Sequence, residues 1–222
     1  MESMIETYAN PRALAEAAAH GLARALTEGL RMRSRAALVA TGGRSPGPVY
    51  DLLKDAPLDW TRVVVTLSDE RCVASTEAES NARLVRVRLL AGAAARAHLI
   101  PLWPKPDPAT FRALMPFDAV MLGMGEDGHI ASLLPGDPAL ARHLDPAGED
   151  LVVDVPAGLG SPPLPRVSLT FKALTAARAI FLLVSGRAKR EVIERALAGA
   201  DLPVRPLLAQ KDAPLRILWT PN

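Results

Sequence analysis

Short apolar runs recur along this chain, and each one ends in glycine, charge or both. Residues 36–40 (AALVA), 63–67 (VVVTL), 119–122 (AVML) and 179–184 (AIFLLV) are the clearest. Their length, β-branched content and glycine or proline flanks predict buried strands rather than helices. Residues 151–155 and 215–219 predict two more. Prolines 162, 163 and 165 force an extended path into 166–170. Between these runs the spacing predicts helices. One starts at Asn10-Pro11, with asparagine as N-cap and proline in the first turn, and reaches about Leu30. A second covers 77–90, with Leu84, Val85, Val87, Leu89 and Leu90 available for packing and Ser80-Asn81 near its start. A third opens at Ser185-Gly186-Arg187 and runs to about Leu197. The small-residue and leucine run after His129 is a further candidate helix start. Residues 139–150 carry no period and predict an irregular surface segment with His143 exposed. Strands alternating with helices predict one unit over 1–222: a three-layer α/β fold, Rossmann-like, with helices on both faces of a mostly parallel sheet.

In such a fold the chemistry sits outside the carboxyl ends of the strands, and charged or glycine-rich turns follow the strands here. After 119–122 comes Gly123-Met124-Gly125-Glu126-Asp127-Gly128-His129, with two carboxylates and a histidine within four residues. It satisfies GxGxxG literally. Glu126 and Asp127, however, would repel a pyrophosphate, and the motif lies mid-chain rather than in the first turn, which argues against a dinucleotide. After 36–40 comes Thr41-Gly42-Gly43-Arg44-Ser45-Pro46, whose amides can converge on an anion at a helix start. Ser68-Asp69-Glu70-Arg71 abuts the strand 63–67. Lys189 falls in a first helical turn, where its charge opposes the helix dipole unless an anion binds there. His20 and His98 have structural settings.

Composition narrows the picture. Hydrophobic residues make up 49% and charged residues 23%, an ordinary globular balance. A net charge of +2 calls for neither nucleic acid nor an anionic membrane as partner. No apolar run approaches the roughly 18 residues of a membrane span, and the first twenty residues lack a basic stretch followed by an apolar one. The single cysteine, Cys72, excludes an intrachain disulfide. It suits a small buried hydrophobe in a reducing, cytoplasmic setting.

Taken in order, these stretches resemble the glucosamine-6-phosphate deaminase-like superfamily and, within it, the 6-phosphogluconolactonases. The resemblance rests on Thr41-Gly-Gly-Arg-Ser-Pro46, Ser68-Asp-Glu-Arg71, Ser80-Asn81, Gly123-Met-Gly-Glu-Asp-Gly-His-Ile-Ala-Ser132, Pro165-Arg-Val-Ser-Leu-Thr170 and Gly186-x-x-Lys189. Arg44-Ser45 departs from the small residue and threonine common in the family, and Ile130 stands where the lactonases often carry threonine. The resemblance implies hydrolysis of 6-phospho-D-glucono-1,5-lactone to 6-phosphogluconate without metal or cofactor. His129 would be general base and acid, with Asp127 as its orienting neighbour. Arg71, Arg166 and Lys189 would hold the phosphate, helped by the Gly42-Gly43 loop with Arg44 and Ser45, and Asp69 would have a structural or polar-contact role. The deaminases resembling this chain carry a glutamate five residues beyond that histidine; here the position is Leu134. A non-catalytic sugar-phosphate sensor on the same fold would keep the cations and lose the base, and His129 argues against it. A metal hydrolase is disfavoured because Asp127-x-His129 lacks a clear further ligand. The expected partner is a small sugar-phosphate lactone, and the expected state a monomer or weak homo-oligomer.

Overall fold

The structure is a computed structural model that describes residues 5–221. In chain order β1 (Ile5–Thr7), α1 (Pro11–Met32), β2 (Ala36–Ala40), α2 (Pro46–Leu53), β3 (Val63–Leu67), β4 (Asp69–Arg71) and α3 (Asn81–Arg88) come first. Next are β5 (His98–Leu99), α4 (Pro108–Arg112), β6 (Ala119–Gly123), α5 (Leu140–His143), β7 (Val152–Val155) and β8 (Arg166–Leu169). The chain closes with α6 (Phe171–Thr175), β9 (Ile180–Ser185), α7 (Arg187–Leu197), α8 (Arg205–Ala209) and β10 (Leu215–Thr220).

Among the described residues, seven strands pair in the order β1-β10-β9-β6-β2-β3-β5, every neighbour parallel. β2 and β3 are buried at every position, as expected of parallel strands covered on both faces. The crossover from β2 to β3 moves one way across the sheet and that from β9 to β10 moves the other. Right-handed crossovers therefore put α1 and α2 on one face and α7 and α8 on the opposite face. The contacts of α1 with α2 and of α7 with α8 agree with this. β2 and β6 are neighbours whose outgoing chains leave in opposite directions, which opens a crevice at their carboxyl ends.

The smaller sheet is antiparallel, in the order β4-β8-β7. The apolar pattern marks 151–155 and 166–170 as strands but does not reveal that they leave the main sheet for Asp69–Arg71. Ser68 is the joint between the two sheets. Its N–H donates to Ala40 O at 2.7 Å, and its carbonyl accepts the Leu169 N–H at 2.8 Å.

Three local expectations are corrected. The helix expected over 77–90 begins at Asn81, because Ser80 Oγ accepts the Arg83 N–H at 3.2 Å and so caps it. No helix follows His129. Ile130 instead makes isolated bridges with Met124 and Leu133, and Ala131 adopts the left-handed region at φ 48°, turning the chain back. The third correction concerns His143. It is 2% exposed and closes the short α5, with Nδ1 3.2 Å from Asp137 Oδ2. Neither atom has an aligned hydrogen-bond partner among the described residues. Cys72 is only half-buried at the core margin, and its burial pushes the thiol pKa up.

Candidate active site

The first wall is the loop after β2. Tyr50, fully buried on α2, donates its hydroxyl to Thr41 O at 2.6 Å and accepts the Thr41 N–H at 2.9 Å. This pins the start of the loop before it turns through Gly42, Gly43, Arg44 and Ser45 into α2 at Pro46. Burial pushes the Tyr50 pKa up, so the hydroxyl stays protonated and available as a donor.

The second wall follows β6. Gly125 N–H donates to His129 O at 2.9 Å and Gly128 N–H to Gly125 O at 3.1 Å, which folds the turn tightly. Asp127 Oδ1 accepts the His129 backbone N–H at 3.2 Å and stands 2.6 Å from His129 Nδ1. A Cβ on Gly125 would overlap both Asp127 Oδ1 and the imidazole, so the pair forms only over glycine. Burial works to raise the Asp127 pKa, but the hydrogen bond and charge of His129 outweigh it and hold the carboxyl below the usual range. An ionised Asp127 is acceptor-only, so the hydrogen bond places a proton on Nδ1, and Nε2 is the ring nitrogen left for substrate.

The third wall is the small sheet. Arg71 on β4 and Arg166 on β8 are directly paired in register. Arg71 Nη1 donates to Glu79 O at 2.6 Å and to Asn81 Oδ1 at 2.9 Å. Arg166 is 3% exposed; its Nη2 donates to Pro162 O at 2.9 Å and its Nη1 to Ser132 Oγ at 3.4 Å. Burial lowers the Arg166 pKa, Asp69 works against that shift, and the like charge of Arg71 adds to it. The Nε of each arginine is buried without a hydrogen-bond partner among the described residues. Two buried guanidinium donors left unsatisfied by the protein suit an anionic ligand. Asp69 is held by two hydroxyls, Ser68 Oγ at 2.9 Å and Ser132 Oγ at 2.6 Å.

From the main sheet, α7 supplies Lys189. Its burial pushes the ammonium pKa below the ordinary lysine range; Glu126 opposes the shift, Arg44 adds to it and Asp127 opposes it. All these parts surround one cavity of about 370 Å³. Gly42, Gly43, Arg44 and Ser45 line it from the first wall, His129 from the second, Asp69, Arg71 and Arg166 from the third, and Lys189 from α7. Asp127 is the one predicted site residue that does not line it; it stands behind His129. Among the described residues no three metal-ligating side chains cluster.

A family model described as glucosamine-6-phosphate isomerases/6-phosphogluconolactonase matches residues 9–219. The chain belongs to this family. It is 42% identical to a 6-phosphogluconolactonase of Caulobacter vibrioides, over 97% of this chain and 96% of that one. A Pseudomonas putida 6-phosphogluconolactonase is 39% identical, over 98% of this chain and 93% of that one. A crystal structure of a 6-phosphogluconolactonase from Shewanella baltica superposes with a TM-score of 0.89 at 33% identity, covering 99% and 98% of the two chains.

Within this glucosamine-6-phosphate isomerase/6-phosphogluconolactonase framework, Arg44 and Ser45 still line the cavity despite their departure from the family pattern, and Ile130 lies fully buried beneath it. Sequence reasoning missed site roles for Thr41, Asn81, Ala131 and Ser161, all of which reach the cavity. Asn81 had a usable signal, since it directly follows a helix-capping serine. Ser161 had none, because its proline-rich surroundings read only as an extended connection.

Proposed function

We propose that this chain hydrolyses 6-phospho-D-glucono-1,5-lactone to 6-phospho-D-gluconate, the lactone-opening step of the oxidative pentose phosphate pathway. The observation that carries this reading is a histidine, its Nδ1 occupied by Asp127, lining the same cavity as four cations from four separate stretches, Arg44, Arg71, Arg166 and Lys189. In the proposed step His129 Nε2 takes a proton from water as the oxygen adds to the lactone carbonyl carbon. The tetrahedral oxyanion then collapses, the bond from that carbon to the ring oxygen breaks, and the imidazolium returns its proton to the ring oxygen. Arg71, Arg166 and Lys189 hold the phosphate, with Gly42, Gly43, Arg44 and Ser45 around it, and Asp69 contacts a sugar hydroxyl. The protein would act in the cytoplasm on this small substrate alone, as a monomer or weak homo-oligomer, with no nucleic-acid or membrane partner.

Position 134 separates this reading from amino-sugar deamination. Ring opening of a hemiacetal needs an acid partner for the histidine, and Leu134 is 1% exposed and apolar. A lactone is already an electrophile and needs only water activation and leaving-group protonation. The test offers purified protein two substrates. Proton release from the phosphorylated lactone, corrected for spontaneous opening, is expected to be fast, with no ammonia from glucosamine 6-phosphate. Ammonia release with lactone hydrolysis at background would reverse the assignment.

A further inference from the structure

The strand β4 alternates, so Asp69 and Arg71 face the cavity while Glu70 between them turns to the other side. Glu70 is only 2% exposed, yet its carboxylate is fully used. Oε1 accepts the N–H of Arg71 at 2.8 Å and of Asn81 at 2.7 Å. Oε2 accepts the Ala82 N–H at 2.7 Å and the Ser80 hydroxyl at 3.0 Å. All four partners are donors, so only an acceptor-only group satisfies the site. Asn81 and Ala82 open α3, where amides have no intrahelical acceptor and negative charge is favoured. Glu70 therefore clamps the start of α3 onto β4.

Asn81 carries that clamp into the cavity. Its Nδ2 donates to Asp69 O at 2.8 Å, and its Oδ1 accepts from Arg71 Nη1 at 2.9 Å. The same oxygen packs so closely on Gly42 that a Cβ there would overlap it. One amide thus touches both β4 and the glycine loop. We infer that Glu70 is a positioning residue for substrate recognition: by fixing Asn81 it sets the guanidinium of Arg71 and the path of Gly42. The inference rests on the proposed role of Arg71 as a phosphate contact.

The test compares 6-phosphogluconolactone with unphosphorylated D-glucono-1,5-lactone. Glu70→Gln presents an NH₂ group to two of the four donors and so cannot satisfy the clamp. It is expected to lose on the order of tenfold in preference for the phosphorylated substrate, mainly through KM, the scale of one hydrogen bond to a charged group. Arg71→Ala is expected to lose at least as much. Adding Glu70→Gln to Arg71→Ala is then expected to cost little further preference, because the first acts through the second. If Arg71→Ala keeps the preference, the phosphate role of Arg71 falls and the inference falls with it. If Arg71→Ala loses the preference but folded Glu70→Gln keeps it, or if the two losses add in full, only the positioning role is overturned. Should Glu70→Gln fail to fold, Asn81→Ala carries the test. It leaves Glu70 all four donors and removes the side-chain links to Arg71, Asp69 and Gly42. The same loss is expected, and an unchanged preference overturns the inference.

Discussion

One carboxylate oxygen, Asp127 Oδ1, engages His129 twice: the ring Nδ1 at 2.6 Å and the backbone N–H at 3.2 Å. The double contact fixes both the tautomer and the orientation of the imidazole. His129→Ala is expected to lower kcat by roughly a hundredfold to ten-thousandfold while the protein stays folded. Asp127→Asn tests the charge behind the ring. The amide oxygen can keep both contacts, but no negative charge then stabilises the imidazolium formed in the step, so kcat is expected to fall with little change in KM. Near-normal turnover by either folded variant would sink the general-base assignment.

Lys189 supplies a pH dependence whose sign can be worked out. Burial lowers its pKa, so the neutral form accumulates at a lower pH than for an ordinary lysine. Only the charged form attracts phosphate. Affinity for 6-phosphogluconate, measured by calorimetric titration, is therefore expected to weaken as pH rises through the alkaline range below the usual lysine pKa. Arginine stays charged throughout, so Lys189→Arg is expected to flatten the decline. A decline that survives the substitution would assign it to another group.

The buried pair of His143 and Asp137 makes a prediction about stability. Both side chains are almost fully enclosed, at 2% and 1% exposure. Asp137 Oδ1 accepts the Ala139 N–H at 2.9 Å, but Oδ2 has no hydrogen-bond partner among the described residues and stands 3.2 Å from His143 Nδ1. His143→Ala leaves that oxygen enclosed without its neighbouring ring nitrogen, and a loss of about 2 kcal/mol in urea unfolding is expected. Replacing both residues by alanine is expected to cost less than the two single losses combined. A single variant within about 0.5 kcal/mol of the parent would show that the contact contributes no stability.

The central strands were legible because burial on both faces leaves uninterrupted apolar runs, as in Val63–Leu67, and parallel strands must end where the chain turns. The same logic exposed His129 and Lys189, each just past such an end. Asp69–Arg71 read as a charged loop. Its charges are buried by hydroxyls and amides from 80–82 and 132, partners that no local pattern announces. His143 was misjudged because a four-residue helix is too short to show a period, and the carboxylate it packs against lies six residues earlier. Polar partners elsewhere along the chain, rather than hydrophobic period, decided each of these cases.

Arg71 and Arg166 face one another across adjacent antiparallel strands, an arrangement that disfavours the sheet carrying them. A dianion seated between them would turn that repulsion into mutual attraction to a shared counter-charge. Ligand binding and thermal endurance are then tied together at the small sheet rather than at the seven-stranded one. Any anion that binds there is expected to stabilise the folded state by mass action, by about 2.7 kcal/mol at a hundredfold excess over its Kd, and so to raise the melting temperature. On the proposed phosphate site, a phosphate buffer and a zwitterionic one are expected to be different thermodynamic environments for this protein, with melting curves that are not interchangeable.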